Sequence, residues 1–322
     1  MANALTEQTG YWNMPNYVGE LFIVGDKKTP LLNAIGATIK ANTGGLGRTV
    51  SDFEFVLSNS AALENGSQPA ITETDSQTAP DSDTYVPAQI KSCVQIFQRT
   101  INMTYAKMSG RDKLSGLSIH GEPLAIADHY AFQVEMTLAQ IAKDYEYSIL
   151  QGTYNLATAA NEAWKMRGLI QAVTAGSMVE NAAGAALSKT MIDTLLATMA
   201  PTAPLKNMVM LCNAFQRQAI SRLYAYAPDS RNVGGVAIEQ VLTDFCTLGV
   251  MYVPQMPTTA ILFVDMDYLK PVALPVPGKG VLFKEPLAKV GAAEKEQIYG
   301  QLGIDYYSPN FHGIIHTLKN TL

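Results

Sequence analysis

The chain has 322 residues, of which 48% are hydrophobic and only 16% are charged, with a net charge of −5 and a pI near 5.4. The length allows one large domain or two ordinary ones, and the acidic balance lacks the basic footprint of a nucleic-acid reader. Soluble domains usually carry about 25% charged residues, so this chain has to hide part of its surface from water. Burial against copies of itself would do so, because interface cores are depleted in charge, and a compact, weakly charged enzyme is the other reading.

No secretory signal is visible, because the first residues contain no basic region followed by an apolar run. No apolar run approaches the roughly 18 residues that a membrane helix needs. The three cysteines, Cys93, Cys212 and Cys246, lie far apart without paired spacing. We therefore predict buried, reduced thiols that act as small hydrophobes, and neither metal ligands nor disulfides.

Residues 1–47 indicate an irregular arm, since short apolar patches alternate with turn residues and three glycines close the segment. Residues 48–57 are typical of a half-buried strand, in which Phe53, Phe55 and Leu57 share one parity. The chain therefore enters its first sheet only after a long lead segment.

Residues 58–89 are rich in Ser, Thr and Pro and almost lack large apolar side chains. Seven acidic residues and no basic one lie between Arg48 and Lys91. Such a segment cannot bury enough apolar area to offset the entropy lost on ordering it. It is either a flexible surface loop or an arm that becomes ordered on a neighbouring subunit, and the sequence leaves both open.

Residues 90–108 are predicted to form the next strand. Its apolar parity changes at Ile96 and Phe97, which indicates a bulge or a twist. Together with residues 48–57, this strand would form a long two-stranded arm that carries the acidic segment at its tip.

The longest helical pattern runs from Pro123, which suits a first helical turn, to Gly152, which suits a helix exit. About 30 residues at about 1.5 Å each would make a rod of ~45 Å. Its charged side chains lie mostly off the apolar stripe, and we expect them to face solvent or a neighbouring subunit. The stripe consists of Ala127, Tyr130, Val134, Leu138, Ile141, Tyr145 and Ile149, and the charged residues are Glu135, Lys143, Asp144 and Glu146.

After this helix the pattern becomes mixed α/β, with amphipathic helices between short apolar strands. No internal repeat is apparent. The predicted elements are a helix at 191–200, a buried strand at 208–212, a helix capped by Asn213, short strands at 249–255 and 260–266, and strands from Val281 onward.

No motif qualifies as an enzyme site. The glycine runs at 44–49 and 278–280 lack the spacing of a dinucleotide loop or a phosphate loop. The run at 116–121 departs from a nucleophile elbow, because His120 stands where the second glycine should be and no strand leads to Ser118. We therefore predict no catalytic residue and no cofactor-binding residue.

Metal ligation is disfavoured as well. His312 and His316 have a spacing that suits ligands on a helix, but their surroundings are β-like, which would separate the two rings by ~13 Å. His120 and His129 have no partner at ligand spacing. A Glu-x-x-His site that starts at Glu135 would need histidine at position 138, where the sequence has leucine. We predict no metal and no cofactor.

Six further runs form a collinear series from about Gly25 to Leu318. They are GDKKTPLLNAIG, CVQIFQRTINMTYAKMSG, AFQVEMTLAQIAKDYEYSILQG with the connection KMRGLIQAV, VLTDFCTLGVMYVPQMP, AILFVDMDYLKPVAL, and EKEQIYGQLGIDYYSPNFHGIIHTL. In this order they resemble the opening arm, returning loop strand, spine helix, axial strands and closing strands of tailed-phage major capsid proteins of the Hong Kong 97 type. The branch that they resemble is related to the capsid protein of a prolate-headed enterobacterial podophage.

The resemblance implies an α+β, Hong Kong 97-like capsid fold. Its parts would be an N-terminal arm at 1–47, an extended β-hairpin loop at 48–108, a peripheral domain with a spine helix at 109–160 and 276–322, and a mixed α/β axial domain at 161–275. The implied function is that of a structural protein, not an enzyme, which self-assembles into hexamers and pentamers that form the viral shell around double-stranded DNA. The extended loop would overlie a neighbouring subunit.

The resemblance also implies partners and a location. The homo-oligomeric shell would join a portal protein and enclose DNA without sequence-specific binding and without a membrane, and a decoration protein is a further candidate partner. The start of the chain lacks the charged helical scaffolding extension of some relatives, so we expect a separate scaffold protein, with earlier cleavage of a longer precursor as the alternative. Assembly would take place in the host cytoplasm and end in the virion. A cellular nanocompartment shell of the same fold and a cytosolic α/β enzyme remain the alternatives.

Overall fold

The computed structural model describes residues 29–43, 47–60, 68, 70–79, 88–105, 118–119, 122–123, 129–224, 240–289 and 291–321. Within these ranges the chain forms five helices and fifteen strands, so the predicted α+β class is confirmed. The helices are α1 (Pro30–Thr43), α2 (His129–Gln151), α3 (Leu169–Thr174), α4 (Lys189–Met199) and α5 (Ala214–Tyr224). Three 3-10 turns lie at Asp75–Gln77, Met266–Tyr268 and Pro309–Phe311.

The strands build two large sheets and two short hairpins. In chain order they are β1 (Arg48–Thr49), β2 (Glu54–Ser60), β3 (Ala88–Cys93), β4 (Gln95–Thr104), β5 (Ser118–Ile119), β6 (Glu122–Pro123), β7 (Val179–Asn181), β8 (Met208–Cys212), β9 (Gln240–Leu242), β10 (Thr247–Tyr252), β11 (Ile261–Asp265), β12 (Lys270–Ala273), β13 (Leu282–Pro286), β14 (Ala293–Asp305) and β15 (Gly313–His316).

Helix α1 corrects the prediction of an irregular arm over residues 1–47, of which residues 1–28 and 44–46 lie outside the described residues. Pro30 occupies the first helical position, which suits its fixed φ and its missing N–H. Leu31, Leu32 and Ile35 are fully or almost fully buried in the core. The helix therefore owes its stability to tertiary packing of one short apolar face, which the mixed local composition of this segment conceals.

The two-stranded arm is shorter than the sequence predicts. Strands β2 and β3 pair antiparallel with one register shift, but β4 leaves the hairpin and pairs antiparallel with β14 along its whole length. The break falls at Val94, whose N–H donates to the carbonyl of Phe53 at 2.8 Å. Ile96 is 40% exposed, so the parity changes about two residues before the predicted position. The thirteen-residue β14 offers β4 a longer partner than β2 does.

Helix α2 is the predicted long helix, but it begins at His129. The prediction that Pro123 opens it is wrong, because Pro123 belongs to β6 and pairs with Ser118. The 23 residues of α2 make a rod of roughly 35 Å, against the predicted ~45 Å. The predicted exit is confirmed: after Gln151 the backbone of Gly152 accepts a hydrogen bond from Gly168 N at 2.9 Å, and a Cβ on Gly168 would lie 2.4 Å from Gly152 N.

Strands β1, β12, β14, β13 and β4 make a five-stranded sheet, in which β14 is the central strand. Helix α2 packs on this sheet through β4 and β14. The larger hydrophobic core lies here, and it also includes residues of α1 and α3.

The six-stranded sheet has the order β7-β15-β11-β8-β10-β9, with parallel pairs at β7–β15 and β8–β10. Residues along β8 alternate between two cores: Met208 and Met210 face α4 and α5, whereas Val209 and Leu211 face the larger core. The predicted helix and strand at 191–200 and 208–212 are thus confirmed. So is the cap of α5, since Asn213 Oδ1 accepts hydrogen bonds from the first amides of this helix.

Candidate functional site

The buried side of α2 forms the spine of the larger core. Leu138, Ile141, Tyr145 and Ile149 are almost completely buried, as the apolar stripe predicts. The hydroxyl of Tyr145 donates to the carbonyl of Gly303 in β14 at 2.7 Å. The ring of Tyr145 also meets the Phe97 ring of β4 edge-on, with 5.4 Å between centroids. One tyrosine therefore attaches the helix to both strands beneath it.

The start of α2 is attached to the same sheet by charges. Lys284 of β13 forms an ion pair of 3.1 Å with Glu296 of β14, and both side chains are mostly buried. The Tyr130 hydroxyl donates to Glu296, and the Lys284 ammonium lies over the Tyr130 ring, 4.8 Å from its centroid. The helix is thus held to the sheet near its first turn as well as at its middle.

The carboxylates of α2 do not share one role, and the prediction for Glu146 is wrong. Glu135 is exposed, as expected. Asp144 pairs within its own chain, since Arg99 donates to it at 2.5 and 3.1 Å. Glu146 is completely buried, and its Oε2 accepts hydrogen bonds from Leu31 N at 3.1 Å and Leu32 N at 3.2 Å.

Glu146 therefore caps the N-terminus of α1 across 115 positions of sequence. The first turn of α1 contains no acidic residue of its own, so a carboxylate from the spine accepts from two amides that have no intrahelical partner. Oε1 of Glu146 is buried without a hydrogen bond. Burial raises the pKa of Glu146 to about 7, against the opposing effect of the hydrogen bonds from Leu32 and Leu31. The cap joins α1 to α2.

The open side of α2 borders a groove of about 480 Å³ along β4. Its walls are mainly polar, and Met136 is its exposed apolar side chain. Arg99 lies in this groove with 45% of its side chain exposed, although it pairs with Asp144. A polar, open groove on a rigid helix and sheet suits the docking of an extended segment. The lining residues are Gln98, Arg99, Thr100, Met136, Thr137 and Gln140.

Residues 70–79, between β2 and β3 in the sequence, contain an ordered turn, and we call this segment the loop tip. The hydroxyl of Thr72 donates to Asp75 Oδ2 at 2.7 Å, and Asp75 N donates back to that hydroxyl at 3.1 Å. The hydrogen bonds that the hydroxyl and the amide of Thr72 donate to Asp75 Oδ2 lower the pKa of Asp75, which keeps it charged. Every residue from 70 to 79 is nonetheless exposed, and Ile71 is 71% exposed. The tip is thus formed by local bonds without burial against its own chain.

The described histidines His312 and His316 have different surroundings and different hydrogen-bond partners. Both ring nitrogens of the buried His312 are engaged, because Nδ1 accepts from Asp265 N and Nε2 lies 2.9 Å from the carbonyl of Tyr306. Burial lowers the pKa of His312 to about 4, so it is neutral and donates through Nε2. His316 contacts Thr317. His120 lies outside the described residues, and nothing is described for the side chain of His129 beyond its place at the start of α2.

The cysteines behave as predicted where they are fully buried. The thiol of Cys93 donates to the carbonyl of Lys165 at 2.9 Å. Burial raises the pKa of Cys93 to about 11 and that of Cys212 to about 12, so both remain protonated. Cys246 is half-buried.

Ser118 lies in a two-residue strand that turns back on β6, which is not the strand-to-helix turn of a nucleophile elbow. Among the described residues no group of three His, Cys, Asp or Glu side chains could hold a metal ion.

The sequence profile of the SU10 major capsid protein family matches residues 3–319, almost the whole chain. The chain belongs to this family. This capsid protein forms a viral shell, which makes its role structural and its place the virion. No curated protein sequence matches the chain significantly.

Solved shells share the fold of this capsid protein at very low sequence identity. The capsid asymmetric unit of cyanophage A-1(L) is 10% identical, with a TM-score of 0.61 over 91% of this chain and 93% of that chain. The procapsid of satellite phage P4, solved with its size determination protein, is 10% identical, with a TM-score of 0.54 over 95% and 92%. The SrpI encapsulin of Synechococcus elongatus is 11% identical, with a TM-score of 0.53 over 91% and 92%.

Two features of the capsid protein were missed by sequence reasoning. Glu146 and Arg99 follow no motif, because their partners lie on other elements far along the chain. The one available signal for Glu146 is the start of α1, where Pro30 opens a helix without an acidic residue in its first turn.

None of the described helices combines the length and hydropathy that a membrane crossing requires.

Proposed function

We propose that this capsid protein forms hexamers and pentamers that close into a shell around double-stranded DNA, with a subunit of the Hong Kong 97 type. The observation that carries the proposal is the extended loop tip, which is ordered by its own hydrogen bonds and yet exposed at every residue from 70 to 79. In a shell the tip would be covered by a neighbouring subunit. The further proposal that the chain belongs to the prolate-headed enterobacterial podophage branch rests on its collinear sequence runs.

The spine groove is the surface of the neighbour that suits this tip. The described tip carries Glu73 and Asp75 beside the apolar Ile71, and the groove offers Arg99 beside the exposed Met136. Opposite charge on two preformed surfaces steers association and fixes register. The loop of each subunit would therefore lie along the spine of the next, which is the contact that a continuous shell requires.

The division of the subunit is proposed as arm 1–47, extended loop 48–108, peripheral domain 109–160 and 276–322, and axial domain 161–275. Strand pairing supports two changes to these bounds: β15 would move from the peripheral to the axial domain, and β12 would move from the axial to the peripheral domain. Strand β15 pairs with β11 and β7 of the six-stranded sheet, and β12 pairs with β14 of the five-stranded sheet. The six-stranded sheet with α4 and α5 would form the axial domain at the capsomer centre.

The proposed partners follow from the shell. A separate scaffold protein, a portal protein and a decoration protein would join the homo-oligomer, and assembly would take place in the host cytoplasm. The net charge of −5 favours enclosure of DNA without tight binding, because like charges repel. We propose no catalytic step for this chain.

The test is assembly of the full chain, expressed with and without the candidate scaffold and observed by electron microscopy and light scattering. We expect closed shells with hexameric and pentameric capsomers. A stable species of one to four chains under all salt conditions and with scaffold present would refute the shell proposal. Co-purified DNA and a portal support the phage shell, whereas a co-purified enzyme would favour the nanocompartment, whose SrpI representative shares the fold.

The loop is tested by a variant that lacks residues 61–87 and joins Ser60 to Ala88 through an Asn-Gly turn. These two residues face each other in the β2–β3 ladder, so a two-residue turn can close the hairpin. We expect subunits with unchanged circular dichroism that fail to assemble. Shells at the wild-type yield would refute the role of the loop.

A further inference from the structure

The turn between β9 and β10 presents apolar side chains to solvent. Leu242 is 83% exposed and Phe245 is 46% exposed, with the exposed Asp244 between them. The turn is held rigid, because the hydroxyl of Thr243 donates to the carbonyl of Cys246 at 2.6 Å and accepts from its amide at 3.2 Å. Ordering these side chains on a partner would therefore cost little backbone entropy.

A groove of about 360 Å³ with an apolar floor lies along α5, which packs on the same sheet. Its wall is fixed, since the Gln216 amide of α5 donates to the carbonyls of Thr258 at 2.7 Å and Lys319 at 3.0 Å. Its rim carries two cations, Arg222 and Lys319, and both are exposed. The remaining lining residues are Ala186, Leu187, Phe215, Ala219, Leu223 and Thr321.

The turn and the groove complement each other in two respects. Two apolar side chains flank one carboxylate on the turn, and two cations border an apolar floor in the groove. None of the ion pairs among the described residues involves Asp244, Arg222 or Lys319. Apolar burial at the centre with charges at the rim is the anatomy of a specific protein interface.

The two surfaces are different parts of the same subunit. The turn joins the edge strand β9 to β10, whereas the groove lies along α5, which packs on β8 and β10, and is completed by residues 186–187 and 319–321. A contact between different surfaces of identical subunits is heterologous, and it closes into a ring when the rotation permits.

We propose that the β9–β10 turn of one subunit inserts Leu242 and Phe245 into the α5 groove of a second copy of this chain, with Asp244 placed against Arg222 and Lys319. The contact rests on the proposed capsomer function and names the residues that join the ring. Repeated head to tail, it gives both pentamers and hexamers, because a rigid turn in a groove can accept a small change of angle between neighbours.

Cross-linking of assembled shells tests the contact. In a Cys246→Ser background, which removes the half-buried native thiol beside the turn, the full chain carries Leu242→Cys and Ala219→Cys together or singly. A short bismaleimide should give the double variant a ladder of covalent oligomers that ends at five and six chains. A mixture of the two single variants should stop at dimers, because each chain then has one reactive position. The background chain is the control for labelling of Cys93 and Cys212.

The outcomes separate this contact from the shell itself. Shells that form but leave the double variant monomeric would overturn the contact and leave the proposed function standing, whereas a wild-type chain that forms no shell overturns the function. Charge reversal gives a second readout. Asp244→Lys or Arg222→Glu alone should slow assembly at least about tenfold, and the two together should recover most of the rate. Equal slowing in the double reversal would contradict direct pairing.

Discussion

The two sides of helix α2 use the same residue types for opposite purposes. Tyr145 is completely buried and bonded to β14, whereas Tyr147, two positions on, is 49% exposed. Glu146 is buried as the cap of α1, whereas Glu135 is exposed. Residue type alone therefore does not determine the role of a side chain on this helix. Its position relative to the sheet and to α1 determines that role.

The buried side of α2 is therefore expected to stabilise the subunit, whereas the open side is expected to act in assembly. The buried side contacts β4, β14, α3 and α1, so it holds these elements together in the larger core. The open side contributes Met136, Thr137 and Gln140 to the spine groove. We expect substitutions on the buried side to act on the unfolding of the subunit, and those on the open side to act on the joining of subunits.

The largest effect should come from the tyrosine pair. Tyr145→Ala removes a fully buried ring, its contact with Phe97 and its hydrogen bond to Gly303. We expect a loss of about 4 kcal/mol in the free energy of unfolding, measured by urea denaturation of the unassembled subunit. Tyr147→Ala is the matched control and should cost less than about 1 kcal/mol. Similar losses in both variants would contradict the asymmetry.

Truncation of the buried carboxylate should come next. Glu146→Ala leaves the amides of Leu31 and Leu32 without their acceptor at a buried helix start. The expected loss is about 3 kcal/mol in the same urea assay. Protection of the α1 amides from hydrogen exchange should fall with it. Glu135→Ala should change stability by about 0.5 kcal/mol or less, and a comparable loss there would mean that the cap is not the cause.

The pH dependence of the same carboxylate isolates its charge. Burial raises the pKa of Glu146 from 4.5 to about 7, so the folded subunit holds this proton more tightly than the unfolded chain. Its contribution is therefore favourable at low pH and is lost as the pH rises through about 7. Between about pH 5 and about pH 7 the wild type should lose about 2 kcal/mol relative to Glu146→Gln, which keeps an acceptor oxygen without titrating. If the free energies of unfolding of the wild type and of Glu146→Gln changed in parallel with pH, the titration of Glu146 would not be the cause.

Much of the six-stranded sheet is readable from the sequence, because its elements follow local periodicity. The helix at α4 and the strand at β8 have apolar residues at the spacings that their two-sided burial requires. Asn213 predicts the start of α5, because its side chain caps amides two and three residues further along the chain. Such signals need no knowledge of distant partners.

The spine and its surroundings are less readable, because their partners are distant in sequence. Glu146 and Leu31 are 115 positions apart, and Gln98 of β4 and Gln297 of β14, whose side chains are hydrogen-bonded, are 199 apart. The sequence therefore predicts a stripe and a strand, but not that β4 would leave the hairpin. The same limit explains why Glu146 was expected to face solvent or a neighbour.

The smallest effect on stability should occur in the spine groove, where it separates the two sides of α2 most sharply. Arg99 and Asp144 form an ion pair with 45% and 36% of their side chains exposed. Exposed pairs contribute little to folding, so Arg99→Gln should change the free energy of unfolding by less than about 1 kcal/mol. If the acidic loop tip of a neighbour docks here, the same variant should assemble more slowly, and the difference from wild type should shrink in high salt.

Lys270→Gln removes an exposed positive charge from β12 and serves as the control for a change in net charge. It should leave the assembly rate, followed by light scattering, close to that of the wild type. Slower assembly in both variants would assign the effect to net charge. Unchanged assembly of Arg99→Gln would remove the groove from the docking surface. A stability loss well above 1 kcal/mol in Arg99→Gln would place the open side of α2 within the folding core, and the separation between its two sides would then fail.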